Sequence, residues 1–118
     1  MEQKDWKAIL SRGNLSKFEI EELIEREIDS ITYDCIVFIG FNKEFKKVGV
    51  KFHSEMYQDS LLKPLLELVS VNTSQLAVIR IMKGNGRANN VKKEELVANI
   101  IKEIAMGVGV DLAYTNTL

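Results

Sequence analysis

The chain has 118 residues, enough for one domain with a single core, and its 46% hydrophobic and 28% charged residues are an ordinary globular composition. A formal net charge of -1 gives no global drive toward nucleic acid or an anionic membrane. One cysteine, Cys35, excludes an intramolecular disulfide framework and a cysteine-rich zinc site, and no apolar run approaches the ~20 residues of a membrane span.

The opening Met-Glu-Gln-Lys-Asp-Trp lacks the apolar core of a signal peptide, so a cytoplasmic protein is expected. Charge is uneven along the chain. Residues 1–30 carry five basic and eight acidic groups, whereas residues 61–90 carry four basic and one acidic.

In chain order, Trp6, Ile9 and Leu10 share a helical face, with Gly13 as a C-cap. Ser16-Lys-Phe-Glu19 has the form of a capping box ahead of Ile20, Leu23, Ile24 and Ile28, which predicts an amphipathic helix from about Lys17 to Asp29. Its outer face carries Glu21, Glu22 and Glu25, a solvated surface or an acidic face for a partner. The pattern then turns to strand. Thr32–Ile39 and Lys46–Phe52 are β-rich runs separated by Gly40-Phe-Asn-Lys-Glu44, which predicts an antiparallel hairpin. Lys46, Lys47 and Lys51 suit an exposed edge strand. Residues 56–71 are helix-compatible, with Pro64 either in the first turn or at a kink. Gln75–Met82 is a third strand, nearly continuous in apolar residues apart from Arg80, as buried parallel strands are. Asn89 or Asn90 caps a last helix bearing Leu96, Ile100, Ile101 and Ile104, Gly107 or Gly109 stops it, and Val110–Tyr114 is a final strand.

These elements make one α/β domain: an N-terminal helical segment over 1–30 and a sheet core over 31–118. The expected order is α-α-β-β-α-β-α-β, in two or three layers around a mixed four-stranded sheet. Strands two to four should be parallel through right-handed crossovers, and strand one antiparallel. Ligands of open α/β sheets bind beyond the strand C-termini. That edge should receive His53 and Glu55, then the loop Lys83-Gly84-Asn85-Gly86-Arg87 running on to Asn89, then Thr115 and Asn116. Gly84 and Gly86 permit close approach of backbone N–H groups, and Lys83 and Arg87 add charge for an anion such as a phosphate or nucleotide. The loop has neither P-loop nor dinucleotide-fold spacing, so a plain turn is the competing reading. His53 is the only histidine, and Cys35 sits in the first strand as a small buried thiol. Neither a catalytic constellation nor a metal-ligand set is complete, and no cofactor is expected.

The element order resembles the cytidine deaminase-like fold. His53-Ser54-Glu55-Met56 stands where that family has His-Ala-Glu, so the resemblance implies His53 as zinc ligand and Glu55 as proton shuttle. The family's Pro-Cys-x-x-Cys position reads Lys83-Gly-Asn-Gly-Arg-Ala-Asn-Asn90, without cysteine. The stretch Ile81–Tyr114 is similar in order and length to a RadC-type JAB domain, whose paired histidines would fall among Ile81–Gly84, where there is none. Both resemblances cover about residues 32–115 and imply a metal-free descendant of such an architecture.

The leading functional expectation is a non-catalytic binding protein acting on a protein partner, in the manner of small inhibitors, immunity proteins and accessory factors of mobile elements. The alternative is a small-ligand domain using the 83–90 loop, and the third reading is a zinc hydrolase or deaminase relative with residual activity. Self-association through a sheet edge is compatible with the pattern; membrane association is not expected.

Overall fold

A computed structural model of the chain describes residues 5–54, 62–69, 72–83 and 91–118. Helix α1 (Trp6–Ser11) starts where the Asp5 side chain accepts from Ala8 N–H, and Gly13 follows it at φ 70° with its N–H on the Leu10 carbonyl. Helix α2 (Lys17–Ile24) opens on the expected capping box: Ser16 Oγ accepts from Glu19 N–H at 3.1 Å, and Glu19 Oε1 accepts from Ser16 N–H at 3.0 Å.

The end of α2 departs from the sequence expectation. The helix stops at Ile24, five residues before Asp29, and a 3-10 helix (Ile28–Ser30) follows. Glu25 takes the left-handed conformation at φ 59°, and the N–H groups of Glu25 and Arg26 both close on the Glu21 carbonyl. The Glu21 carboxylate then accepts from Ile28 N–H at 2.8 Å, turning the chain where the apolar spacing alone would continue the helix.

Strands β1 (Cys35–Phe41) and β2 (Lys47–Ser54) form the predicted antiparallel hairpin. Asn42 Oδ1 accepts from Glu44 and Lys46 N–H at 3.0 Å each, an Asx-type turn, and Phe45 at φ 58° packs its ring on Phe41. A register shift beside Gly40 and Phe41 sends Lys47 and Lys51 to opposite faces of the sheet despite their even spacing. Lys47 reaches α2, and Lys51 pairs with Glu67 at 3.0 Å on α3 (Leu62–Val69), whose described span contains Pro64. Strand β3 (Gln75–Ile81), helix α4 (Val91–Val108) and strand β4 (Asp111–Thr117) complete the chain. Gly109 ends α4 at φ 76°, and Gly107 stays inside the helix. Among the described side chains of α4, Ile101 and Ala105 are buried, whereas Ile100, expected on its inner stripe, is 37% exposed.

The sheet is mixed and four-stranded, in the order β2-β1-β3-β4. Strands β2, β3 and β4 run in one direction and β1 in the other, but the expectation of a parallel series is corrected in its pairing: the three do not lie side by side. β1 lies between β2 and β3 and is antiparallel to both, so β3–β4 is the parallel hydrogen-bonded pair. The physical reason is burial. β1 (Cys-Ile-Val-Phe-Ile-Gly-Phe) is buried at every position and needs a neighbour on each side, whereas the lysine-bearing β2 suits an edge.

Side-chain alternation divides the core into two clusters, giving three layers. Cys35, Val37, Ile39 and Phe41 of β1 pack with Ala77, Ile79 and Ile81 of β3 beneath Leu10, Ile20, Leu23 and Ile24 of the N-terminal helices. Ile36, Phe38, Leu76 and Val78 face Leu65 and Leu68 of α3 and Ile101 of α4. Each fully buried side chain of this size stabilises the fold by roughly 1.5–3 kcal/mol, so the central strands dominate the apolar contribution. None of the helices among the described residues is long and apolar enough to cross a membrane.

Candidate functional site

The register places the end of β2, the start of β1 and the ends of β3 and β4 on one edge of the sheet. Cys35 stands opposite both Ser54 and Ile81, and Arg80 stands opposite Thr117. The edge is tied together by backbone bonds: Leu118 N–H donates to the Arg80 carbonyl at 2.8 Å, and Met82 N–H donates to the Leu118 carbonyl at 3.1 Å. Asp34 Oδ1 accepts from Lys83 N–H, joining the entry of β1 to the exit of β3.

The sequence-predicted residues divide into three groups at this point. Lys83 is exposed at the exit of β3, and its positive charge is one of the influences holding the Asp29 carboxyl below its ordinary range, after the hydrogen bond and charge of Lys17. Gly84, Asn85, Gly86, Arg87 and Asn89 of the loop, and Glu55, lie outside the described residues. His53 is well placed for the edge but is a strand residue, only 7% exposed and opposite Ile36.

Residues paired across neighbouring strands share a face of a sheet. His53, Ile36, Arg80 and Thr117 therefore form a row across all four strands, on the α3/α4 face. Beside this row, a groove of about 480 Å3 runs between α4 and the sheet. Its apolar lining comes from Ile36, Val78, Ile101, Ala98 and Leu112. Its polar lining comes from Arg80, Lys102, Asn99, Thr115, Asn116 and Thr117. Among the described lining residues there are two cations and no carboxylate, a composition that favours a group of negative charge. Arg80 is 6% exposed, and a guanidinium so far from bulk water interacts with charge more strongly than a surface lysine does.

Arg80 was visible in the sequence as the one charge interrupting an apolar strand. Lys102 and Asn99 were not: they enter the groove through the placement of α4, a non-local packing event that periodicity does not encode. Thr115 and Asn116 reach the predicted edge, but as strand residues of β4 rather than as a following loop.

The acidic residues of α2 occupy the opposite face. Glu21, Glu22 and Glu25 line an open hollow with Phe18, Arg26 and Glu27, and Phe18 is 66% exposed. Part of this charge is committed internally. Glu21 accepts from Ile28 N–H at 2.8 Å, and Glu25 pairs with Lys47 at 2.8 Å. No group of three or more metal-ligating side chains occurs among the described residues. No protein-family model, curated protein or solved structure matches the chain.

Proposed function

We propose that this is a non-catalytic binding protein whose working site is the groove between α4 and the β3–β4 end of the sheet, where it receives an anionic group of a protein partner. The observation that carries this reading is Arg80: an arginine 6% exposed, the one charge in a largely apolar strand, lining a groove whose described residues also include Lys102 and no carboxylate. Charge-assisted hydrogen bonds from a partly desolvated arginine are among the stronger polar contacts available to a small binding surface. The apolar lining supplies affinity, and the cations fix which end of an occupant enters. This is the mode of action of a small cytoplasmic inhibitor, immunity or accessory protein.

A second reading uses the same cations for a small free anion such as a nucleotide or phosphate compound. The groove volume of about 480 Å3 favours it, being within the range of ~300–1,000 Å3 typical of ligand pockets.

Thermal unfolding of wild type and Lys102→Glu in the presence of hexanoate, inorganic phosphate or ATP tests the shared premise. A probe at 100 times its dissociation constant stabilises the native state by about 2.7 kcal/mol. Stabilisation of wild type that is lost in Lys102→Glu is expected, while Glu22→Lys, on the opposite face, should leave it intact. If no anion shifts the wild-type transition, the groove is not an anion site.

A further inference from the structure

Resting on the groove reading, we infer that the occupant is an extended peptide segment bearing a carboxylate, which adds as a fifth strand to the outer edge of β4. Among the described residues the sheet ends at β4, whose hydrogen-bonded neighbour is β3. Leu118 N–H turns inward to the Arg80 carbonyl, so backbone alternation turns the N–H of Thr117 outward. That outward N–H donates to the side-chain oxygen of Asn116 at 2.9 Å. A side-chain amide thus occupies the position that the carbonyl of an incoming strand would take, and it can rotate away.

The two sheet edges are built differently. The β2 edge carries Lys47 and Lys51, held to α2 and α3 by their ion pairs, and lysines on an edge discourage strand addition. β4 reads Asp-Leu-Ala-Tyr-Thr-Asn-Thr, with no lysine, arginine or proline. Its register shift lies near Leu76 and Ala77, so from Tyr114 to Thr117 the ladder is regular. Four residues at about 3.3 Å each give an added strand roughly 13 Å of edge.

The groove adjoins this same length. Leu112, Thr115 and Thr117 of β4 contribute to its lining, so alternate side chains of an added strand would stand over it. Apolar side chains meet Val78, Ile101 and Leu112, and a carboxylate meets Arg80 and Lys102. Main-chain bonds to β4 would supply affinity without regard to sequence. The groove would supply the preference for an apolar residue beside an acidic group.

The test uses 15N-labelled protein with three probes: a mixture of acetylated hexapeptides rich in Val, Ile and Thr ending in a free carboxylate, the same mixture amidated at the C-terminus, and hexanoate. The carboxylate peptides should slow amide exchange at Thr115 and Thr117 by at least about tenfold, and the amidated mixture should do so less. Thr117→Pro removes an outward N–H without touching the bonds to β3 and should abolish the protection read at Thr115. Lys102→Glu should weaken it while leaving the fold unchanged. If hexanoate perturbs Lys102 and Asn99 but no peptide protects the β4 amides, the peptide proposal fails and the groove remains an anion site. If no probe perturbs either set, both readings fail. Protection that rises with protein concentration and needs no peptide would identify a second copy as the occupant and overturn the proposal.

Discussion

At the scale of single residues, Gly40 shows how tightly the α3/α4 face is packed. A Cβ at this position would meet Thr73 Oγ1 at 2.8 Å and Leu68 Cδ2 at 3.4 Å, and Thr73 Oγ1 also donates to the Leu68 carbonyl at 2.6 Å. Gly40→Ala must displace that threonine and its hydrogen bond, so a loss of about 1–3 kcal/mol is expected in urea unfolding. Removing the obstacle with Thr73→Ala should make the pair of substitutions less costly than the sum of the two. Equal additivity would show that the contact does not set the cost. The sequence marked Gly40 as a turn residue because glycine, phenylalanine and asparagine follow in a row. Its actual role, a strand glycine admitting a distant threonine, needs the tertiary arrangement. Arg80 is the opposite case. Its oddity inside an apolar strand could be read directly, although the groove beside it could not.

Among elements, those with local signals were legible and those closed by distant partners were not. The capping box of α2 was evident from Ser16 and Glu19, three positions apart. The end of the same helix was missed because Ile28 continues its apolar stripe, while the features that stop it lie elsewhere. Lys47, from β2, donates to the carbonyls of Glu22 at 3.2 Å and Leu23 at 3.3 Å and pairs with Glu25. A cation at a helix C-terminus satisfies carbonyls left open by the last turn and complements the helix dipole. Lys47→Met keeps much of the aliphatic stem and removes these contacts. Its expected cost is about 1 kcal/mol by urea unfolding, with faster amide exchange at Glu25 and Arg26. An unchanged midpoint and unchanged exchange would assign the helix end to Glu21 and the backbone alone. The central place of β1 was not legible for the same kind of reason. The hairpin is local, but the choice between the two sides of β1 for β3 depends on which edge can tolerate solvent.

For the whole molecule, acid sensitivity gathers contributions from separated surface pairs. Glu19 is held below its ordinary 4.5, first by the Ser16 backbone N–H and also by Arg12. The Lys17 hydrogen bond lowers Asp29 from its ordinary 3.8, and the Lys51 hydrogen bond lowers Glu67 from 4.5. A carboxyl that ionises more readily when folded adds stability above its unfolded value and loses it as pH falls through the lowered folded value. Lys17, raised from 10.5 by the same Asp29 contact, works in the other direction and loses its contribution only in strong alkali. Urea midpoints should therefore hold steady through neutral pH and fall below about pH 4.5. The combined Glu19→Gln, Asp29→Asn and Glu67→Gln variant should show a shallower acid limb. A limb of unchanged steepness would place the acid response in other groups. Because these groups are exposed, added salt should also reduce the effect.

The central position of β1 also has a consequence for the order in which the molecule is made. On a growing chain, β1 can close the hairpin with β2 as soon as Ser54 has emerged, and that pairing needs only a short loop. Its second edge stays open until Gln75–Ile81 arrives, more than twenty residues later in synthesis. During that interval a seven-residue strand of Cys-Ile-Val-Phe-Ile-Gly-Phe, with neither charge nor proline, offers an unpaired edge to any neighbour. The strand that holds the finished sheet together is thus the nascent chain's main aggregation hazard. The docking of β3 beside β1, with Thr73 against Gly40, becomes the step that ends the exposure.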